Sequence, residues 1–216
     1  MKILNLYAGI GGNRKLWKVT IEDDVTAVEI DTDLAAVYKS LFPKDTVVVG
    51  DAHEYLLQHY TEYDFIWSSP PCPTHSKINF SFKGRFNPKY PDMRLYQEII
   101  LLRHWFRGKW VVENVVSYYE PLIKPQMSGR HYFWANFNIT KKKYDVQIGT
   151  LMHGTRKRTI REAQIPELTA LHGFDLSKFK IPNKRKILRN CVFPELGLHV
   201  WNCAFKTEQK RLCGGI

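Results

Sequence analysis

Cys72 stands between prolines directly after an apolar run of the chain. The run from Phe65 to Trp67 is typical of a short buried strand, and the flanking prolines exclude both a helix and ladder pairing beyond it. The chain would therefore leave the sheet in a stiff turn that presents Cys72 at the carboxyl end of a strand, where open α/β sheets bind their ligands. A thiol there could act as a nucleophile, or it could be an inert buried side chain. The turn alone leaves both interpretations open.

Groups suited to ligand binding also follow the earlier strands. The glycine-rich turn 8–12 follows a first strand, and glycines at this place let backbone N–H groups approach a ligand closely. Glu29 ends a second strand about twenty residues beyond the glycines, where an acid typically binds the ribose hydroxyls of a nucleotide-like cofactor. Asp51 follows a third strand at the same edge and could accept a hydrogen bond from an exocyclic amine. These strand ends together predict one ligand site.

The elements that would position these residues alternate between strands and helices. The apolar runs predict strands over 3–7, 25–29, 46–49, 65–67, 110–112 and 132–134, the fifth of which leads into Glu113-Asn114-Val115. A short helix is predicted directly after the glycine turn, with Leu16 and Val19 on one face. Further helices are predicted over 31–41, over 92–106, over 166–171 and from 194 onward, and Pro166 would lie in the first turn of the third of these. Such alternation is typical of an α/β fold with a doubly wound, mostly parallel sheet.

The charge of the chain points to a polyanionic partner. The formal net charge is +11, and lysines and arginines cluster after the cysteine turn and again over 141–143, 156–158 and 184–186. Contacts from Lys and Arg to phosphates supply most of the non-specific affinity of proteins for nucleic acids. A basic surface that merely keeps the protein soluble is the plainer alternative.

Neither export nor metal binding is indicated by the sequence. No apolar run approaches the length of a membrane span, and the N-terminus leads directly into a strand pattern without a cleavage site. The four cysteines, at 72, 191, 203 and 213, form no C-x-x-C pair and are too far apart for a common zinc cluster. We therefore expect a cytoplasmic protein with reduced thiols, no bound metal and no membrane association.

The order of these features resembles that of the DNA cytosine-5 methyltransferases over nearly the whole chain. The motifs concerned are Asn5-Leu6-Tyr7-Ala8-Gly9-Ile10-Gly11-Gly12, similar to D-L-F-A-G-x-G-G; Ser69-Pro70-Pro71-Cys72, similar to G-P-P-C; Glu113-Asn114-Val115, which is E-N-V; Arg130-His131-Tyr132-Phe133-Trp134-Ala135-Asn136, similar to the eighth motif; Leu171-His172-Gly173-Phe174, similar to L-Q-G-F; and Arg189-Asn190, similar to the G-N of the tenth. P-P-C followed by E-N-V two elements later is highly specific.

The resemblance implies the Rossmann-like fold of S-adenosylmethionine-dependent methyltransferases and S-adenosylmethionine as cofactor, with S-adenosylhomocysteine as its product. Carried over position by position, it assigns cofactor contacts to Tyr7, Ala8, Gly9, Ile10, Gly11, Gly12, Glu29, Ile30, Asp51, Ala52, Pro71, Asn190 and Val192. It also implies base flipping, because a cytosine within a duplex is out of reach of such a pocket.

The reaction implied is methyl transfer to C5 of cytosine in DNA. That carbon is too electron-poor to attack a methyl sulfonium directly, so the Cys72 thiolate would first add at C6. A protonated Glu113 would relieve negative charge near N3, Asn114 would hold the turn, and Arg130 or His131 would contact O2 of the base or the flanking phosphate. DNA contacts are assigned to Ser76, Lys77, Lys83, Arg85, Lys89, Arg156, Arg158 and Arg161, several of them in a loop expected to close over the ligand.

The chain departs from the family pattern in its first motif, where Tyr7 stands in place of Phe, and above all in size. Members usually carry a large target-recognition domain between the eighth and ninth motifs. Here we expect a catalytic core over 1–137, a minimal target-recognition segment over 138–160 and a C-terminal part over 161–216 that completes the core. Recognition of double-stranded DNA would depend on phosphate contacts and DNA shape, unless a second copy in a homodimer or a helper specificity chain supplies the recognition. We expect a prokaryotic or phage setting and a role in restriction-modification or related methylation.

Two other functions are compatible with the sequence. A compact branch of the same family methylates transfer RNA, but its Cys-Phe-Thr pattern near the ninth motif is not found in this sequence. A non-catalytic relative could instead bind DNA or another methyltransferase as a regulatory subunit. The joint presence of Cys72, Glu113 and the glycine turn argues against that second alternative.

Overall fold

The computed structural model describes residues 1–77, 87, 89–143 and 157–205, the side chains of 157–163 excepted. The strands in these ranges are β1 (Lys2–Leu6), β2 (Asp24–Glu29), β3 (Thr46–Val49), β4 (Phe65–Ser68), β5 (Lys109–Val115), β6 (Gln126–Ser128) and β7 (His131–Ala135). The α-helices are α1 (Thr32–Leu41), α2 (Ala52–His59), α3 (Arg94–Trp105), α4 (Lys157–His172), α5 (Lys184–Asn190) and α6 (Pro194–Phe205), and a 3-10 helix covers Tyr60–Glu62.

These strands form one seven-stranded sheet in the order β3-β2-β1-β4-β5-β7-β6. Strands β1 to β5 run parallel to one another, whereas β7 is antiparallel to β5 and β6 is antiparallel to β7. The predicted α/β fold with a mostly parallel sheet is confirmed. Because the strand order reverses between β1 and β4, the carboxyl ends of these two strands mark the edge at which such sheets bind ligands.

Apolar side chains on both faces of the central strands explain why helices cover both faces of the sheet. On one face, Leu4 of β1 belongs to a buried cluster with Ile99 of α3. On the other face, Phe65 of β4 packs against Trp201 of α6, and Trp17 stacks on Trp201 with ring centroids 4.9 Å apart. The two layers hold β1 and β4 rigidly, and with them the residues that follow at their carboxyl ends.

The segment after the glycine turn differs from the predicted helix. Residues 12–16 make a series of turns, and Leu16 is exposed and does not face the core. The side-chain amide of Asn13 donates to Asn5 Oδ1 at 2.7 Å. Arg14 binds both carboxylate oxygens of Asp45, each at 3.0 Å. The helix prediction was wrong because these contacts to distant residues outweigh the weak local preference for a helix.

Helix α4 begins earlier than predicted. It starts at Lys157, so Pro166 lies inside the helix and not in its first turn. Proline in a helix interior removes one backbone hydrogen bond, and the fully buried side chain of Leu168 anchors the helix just beyond that point. The predicted stop at Gly173 is confirmed, since this residue has φ +63° and its N–H donates to the carbonyl of Thr169 at 2.7 Å.

Several short elements were not predicted. Helix α2 has 8 residues, helix α5 has 7 and strand β6 has 3, too few for a periodic pattern to stand out. Helix α3 also begins at Arg94 and not at Asp92, whose side chain instead accepts the backbone N–H of Arg94 at 3.1 Å.

Within the described part of the chain, no helix is both long and apolar enough to cross a membrane. The same residues contain no group of three or more His, Cys, Asp and Glu side chains arranged to hold a metal ion. The predicted loop over 77–91 and the predicted recognition segment over 138–160 lie largely outside the described residues.

Candidate active site

The turn that carries Cys72 follows β4 and is fixed by its backbone. The carbonyl oxygen of Cys72 accepts the N–H groups of His75 at 3.0 Å and Ser76 at 3.1 Å. His75 is buried, its carbonyl accepts the N–H of Tyr118 at 3.1 Å, and its Nδ1 lies 2.6 Å from the hydroxyl of Tyr119. The stretch 117–119, which follows β5, therefore holds the turn.

A second contact joins this turn to strand β5. The buried side chain of Asn114 donates from Nδ2 to the carbonyl oxygen of Pro70 at 2.9 Å. Its Oδ1 accepts the N–H of Val115 at 2.9 Å. The amide can neither rotate nor flip without losing both bonds, so the end of β5 sets the position of the turn that begins at Pro70.

The charge of Glu113 acts on the Cys72 thiol. Burial raises the pKa of the Cys72 thiol above its ordinary value, and the negative charge of Glu113 raises that pKa further. The Glu113 side chain is itself buried in β5. The resting thiol therefore keeps its proton, and neutralising Glu113 would make the thiolate easier to form.

Of Arg130 and His131, the two residues predicted to contact the base or its phosphate, His131 lies beside Glu113. Strand β7 pairs His131 with Val115 of β5, and His131 Nε2 lies 3.7 Å from Glu113 Oε1. That separation is too long for a hydrogen bond but close enough for charge attraction when the ring is protonated. Arg130 is exposed in the turn between β6 and β7. The catalytic roles of both residues stay predictions.

A cavity of about 310 Å³ opens at the carboxyl ends of β1 and β2. Among the residues predicted to contact the cofactor, the structure brings together on its walls Tyr7, Ala8, Gly9, Ile10, Gly12, Asn190 and Val192. Ser69 also lines the cavity and stands three residues before Cys72, so the cavity and the nucleophile turn are neighbours.

The glycine turn suits a ligand that lies close to its backbone. Gly9 has φ +53°, and a Cβ atom built there would meet no other atom within 4 Å, so its backbone borders open space. A Cβ atom on Gly12 would lie only 2.3 Å from Cys191 Sγ, so glycine is required for the turn to pack against the stretch before α6. S-adenosylmethionine carries an ammonium, a carboxylate and ribose hydroxyls; the turn backbone, Asp31 and Asn190 would hold these polar groups.

Gly11 has a different reason to be glycine. It has φ +82°, and a Cβ atom there would lie 2.3 Å from the ring of Phe42, at the end of α1. It is not among the residues that line the cavity. Its role in the described structure is the close approach of the turn to α1.

The two acids predicted to hold the cofactor both make contacts within the protein. Glu29 accepts the N–H of Gly9 at 2.7 Å and that of Asp31 at 3.0 Å. These bonds use two of the roughly four acceptor positions of a carboxylate. Asp51 accepts the N–H of His53 at 2.8 Å as the N-cap of α2, and its other oxygen binds Arg94 at 3.0 Å. Their predicted contacts with ribose and an exocyclic amine stay predictions.

The remaining residues predicted to contact the cofactor differ in how far their side chains are exposed to solvent. Ile30 has 67% of its surface exposed at the end of β2, and Pro71 is also exposed. The side chain of Ala52 is only 2% exposed and packs into the core. Ala52 can therefore offer a ligand its backbone but not its side chain.

Sequence reasoning missed most of the cavity wall that lies near α5. The residues concerned come from 181–191 and from the start of α1: Asp31, Asp33, Leu34, Ile181, Pro182, Asn183, Lys186, Ile187 and Cys191. Asp31 and Asp33 lie in the predicted helix 31–41, whose pattern carries no sign of ligand binding. The Pro182-Asn183 pair directly before α5 is a turn signal that could have marked this stretch, and Asn183 indeed adopts a left-handed conformation with φ +54°.

Only part of the predicted nucleic-acid surface lies in the described residues. Ser76 forms a bridge with Ser117, and Lys77 and Lys89 are exposed. Lys83, Arg85 and Arg156 fall outside the described residues, as do the side chains of Arg158 and Arg161. The predicted basic cluster 184–186 lies within the described residues, on α5. On the same helix, partial desolvation and the positive charges of Arg185 and Arg130 lower the pKa of the exposed Arg189 guanidinium.

Comparison with known proteins gives a match over the first half of the chain. The family model described as C-5 cytosine-specific DNA methylase matches residues 1–115. The tRNA (cytosine(38)-C(5))-methyltransferase of Spodoptera frugiperda is 39% identical over 75 residues, which are 33% of this chain and 23% of that protein. The chain thus spans less than a quarter of the length of the curated relative it matches.

Solved structures resemble the chain at the level of the fold. The methyltransferase EhMeth of Entamoeba histolytica is 13% identical, with a TM-score of 0.54 over 95% of this chain and 98% of that one. A mutant of Spodoptera frugiperda DNMT2 is 23% identical, with a TM-score of 0.43 over 70% of this chain and 55% of that one. The predicted Rossmann-like methyltransferase fold and the predicted cofactor, S-adenosylmethionine, are confirmed.

Proposed function

Because this chain belongs to the C-5 cytosine-specific DNA methylase family, we propose that it methylates C5 of cytosine in DNA. The observation that carries the proposal is the junction of the nucleophile turn with β5. Asn114 ties that turn to the strand that bears Glu113, and Ser69 of the same turn lines the cofactor cavity. A nucleophile, a carboxyl group and a cofactor site thus meet at one edge of the sheet.

The chemistry assigned to these residues is a covalent substitution at the base. Bound S-adenosylmethionine supplies the methyl group as an electrophile. Cys72 passes its proton to solvent water and adds through sulfur to C6 of cytosine, which makes C5 a nucleophilic carbon. Glu113, as the neutral acid, donates a hydrogen bond to N3 while electron density moves onto the ring. When C5 has gained its methyl group, a base removes its proton and the Cys72 thiolate leaves.

The raised pKa of Cys72 agrees with the roles proposed for Cys72 and Glu113. A thiol that stays protonated at rest is protected from oxidation and stray alkylation, since the thiolate is the reactive form. Transfer of a proton to the Glu113 carboxylate would remove the charge that opposes ionisation of Cys72. The same proton would then be in place for N3 of the base.

The target base would have to leave a duplex before Cys72 could reach it. Flipping costs a few kcal/mol, which contacts to the phosphate backbone offset. Lys77, Lys89 and Arg130 are exposed on the described surface and could make such contacts. Preference for double-stranded DNA, and recognition by phosphate contacts and DNA shape, belong to the same proposal.

Transfer RNA is the second candidate substrate. The observation in its favour is the identity of 39% over 75 residues to an enzyme named as a tRNA cytosine-5 methyltransferase. The missing Cys-Phe-Thr pattern speaks for DNA. Both candidates use the same residues for catalysis and differ only in the polynucleotide that the basic surface accepts.

Base-resolution mapping of methylation tests the proposal. Plasmid DNA and a transfer RNA pool would each be incubated with the protein and S-adenosylmethionine, and then sequenced for 5-methylcytosine. We expect 5-methylcytosine in DNA with the wild type and none with Cys72→Ser. Methylation of RNA alone would establish the second candidate in place of the first.

A further inference from the structure

The buried carboxylate of Glu98, in the middle of helix α3, binds three side chains. It is only 1% exposed. One oxygen accepts the Tyr7 hydroxyl at 2.5 Å and lies 3.0 Å from His53 Nδ1, and the other accepts the Ser68 hydroxyl at 2.6 Å. We call Glu98 with Tyr7, His53 and Ser68 the Glu98 cluster.

The cluster joins residues from three strand ends at the cofactor edge of the sheet. Tyr7 directly follows β1, Ser68 is the last residue of β4, and His53 lies in the first turn of α2, after β3. A buried carboxylate costs considerable free energy unless its acceptor positions are filled. An apolar side chain would fill such a place at least as stably, so the carboxylate points to a role in positioning.

Tyr7 is the member of the cluster that reaches the cofactor cavity. It lines the cavity, and its φ of +55° lies in the left-handed region that residues other than glycine rarely adopt. The phenol is held at its far end by Glu98. The cytosine-5 methyltransferase family usually has Phe at this position, and a Phe side chain has no hydroxyl to make such a bond.

We propose that Glu98 is a positioning residue for the cofactor. It holds Tyr7 in place at the cavity wall through the phenol hydroxyl, and through His53 and Ser68 it fixes the start of α2 and the end of β4 at the same edge. The inference rests on the proposed function only in that the ligand of the cavity is S-adenosylmethionine. It assigns no step of the reaction to Glu98.

Cofactor binding in the absence of nucleic acid tests this assignment. The dissociation constant of S-adenosylmethionine would be measured by calorimetry for the wild type, Glu98→Gln, Tyr7→Phe and the double variant, together with the melting temperature of each. Glu98→Gln preserves size and one acceptor, so the fold should persist. Glu54→Gln, an exposed carboxylate on α2, serves as the matched control.

We expect Glu98→Gln to weaken cofactor binding about tenfold and Tyr7→Phe to weaken it severalfold, with Glu54→Gln unchanged. The double variant should bind no more weakly than Glu98→Gln alone, because both changes act on the bond between Glu98 and Tyr7. The inference is overturned if Glu98→Gln lowers the melting temperature but leaves the dissociation constant unchanged, or if the two effects multiply.

The outcomes separate this inference from the proposed function. A wild type that binds the cofactor while Glu98→Gln binds it equally well contradicts the role of Glu98 alone. A wild type with the expected pattern of dissociation constants but no methylation of DNA or RNA contradicts the proposed function alone. A wild type that fails to bind S-adenosylmethionine contradicts both.

Discussion

Asn114 donates its side-chain N–H to the carbonyl oxygen of Pro70 across 2.9 Å, although the two residues are 44 positions apart. The bond links the end of β5 to the turn that carries Cys72. Both partners are buried, so the bond is shielded from competing water. The position of Cys72 is thereby tied to a buried interior strand of the sheet.

Asn114→Ala should impair catalysis far more than cofactor binding. Loss of the bond to Pro70 frees the turn, and a shift of about 1 Å at the reacting atom can cost about 100-fold in rate. Single-turnover rates of methyl transfer measure the effect.

Asn136 offers a matched control for that variant. It makes the same pair of backbone contacts at the other end of β5, donating to Gly108 at 2.8 Å and accepting from Trp110 at 3.1 Å. Asn136→Ala should lower stability but leave the single-turnover rate within about twofold of the wild type. Equal rate losses in the two variants would show that Asn114 acts only through stability.

The ionisation of Cys72 should respond to Glu113. Alkylation by iodoacetamide, followed peptide by peptide in a mass spectrometer, should give Cys72 an apparent pKa above the ordinary thiol value of about 8.5. Glu113→Gln removes the charge that raises the pKa, so the profile should move to lower pH. The Cys203 peptide is an internal reference for the reagent. A Cys72 profile that Glu113→Gln leaves unchanged would contradict the proximity of these two groups.

His172 should make the protein sensitive to mild acid. The ring is buried, and burial and the charge of Lys15 lower its pKa to about 4. Since the unfolded chain binds this proton near pH 6.5 and the folded one does not, the stabilisation is complete above pH 6.5 and is lost as pH falls towards 4.

The unfolding free energy should fall by about 2 kcal/mol between pH 6.5 and pH 4. The upper limit is about 3 kcal/mol, because a shift of one pKa unit corresponds to about 1.36 kcal/mol. Urea unfolding from pH 7 to pH 4.5 measures this fall. His172→Gln should remove this part of the pH dependence, whereas His104→Gln, on the exposed side of α3, should retain it. Identical pH profiles for the wild type and His172→Gln would rule this explanation out.

The ion pair of Arg14 and Asp45 should be essential for stability. Both side chains are buried, and Asp45 also accepts the Tyr38 hydroxyl at 2.9 Å. Asp45→Ala would leave the Arg14 guanidinium buried without its partner, which typically costs about 3–5 kcal/mol. In contrast, Glu62→Ala removes the exposed partner of His59 and should change the unfolding free energy by less than about 0.5 kcal/mol. Similar losses in these two variants would contradict the account.

The strands and the nucleophile turn could be predicted because their signals are local. The apolar runs that end at Glu29 and Ser68 give the sheet, and the prolines beside Cys72 can only form a turn. The segment after the glycine turn could not be predicted in this way. Its conformation depends on the bond from Arg14 to Asp45, 31 residues away, and no pattern within one element carries that information.

The same reasoning explains which parts of the candidate site were missed. Glu98 reads in the sequence as an ordinary polar residue of α3, and its importance arises from a bond to Tyr7, 91 positions away. The cavity wall near α5 was missed because a helix of 7 residues lacks a clear period. Long-range contacts thus account for most of what the sequence did not reveal about the site.

The central claim is that Cys72 attacks C6 of a cytosine in DNA, and covalent trapping tests it most directly. A DNA duplex that contains 5-fluorocytosine would be incubated with the protein and S-adenosylmethionine, because fluorine at C5 cannot leave as a proton does and the adduct persists. We predict a denaturant-resistant adduct with the wild type, attached to the Cys72 peptide and absent in Cys72→Ser. No adduct with the wild type, or an adduct that persists in Cys72→Ser, would contradict the account.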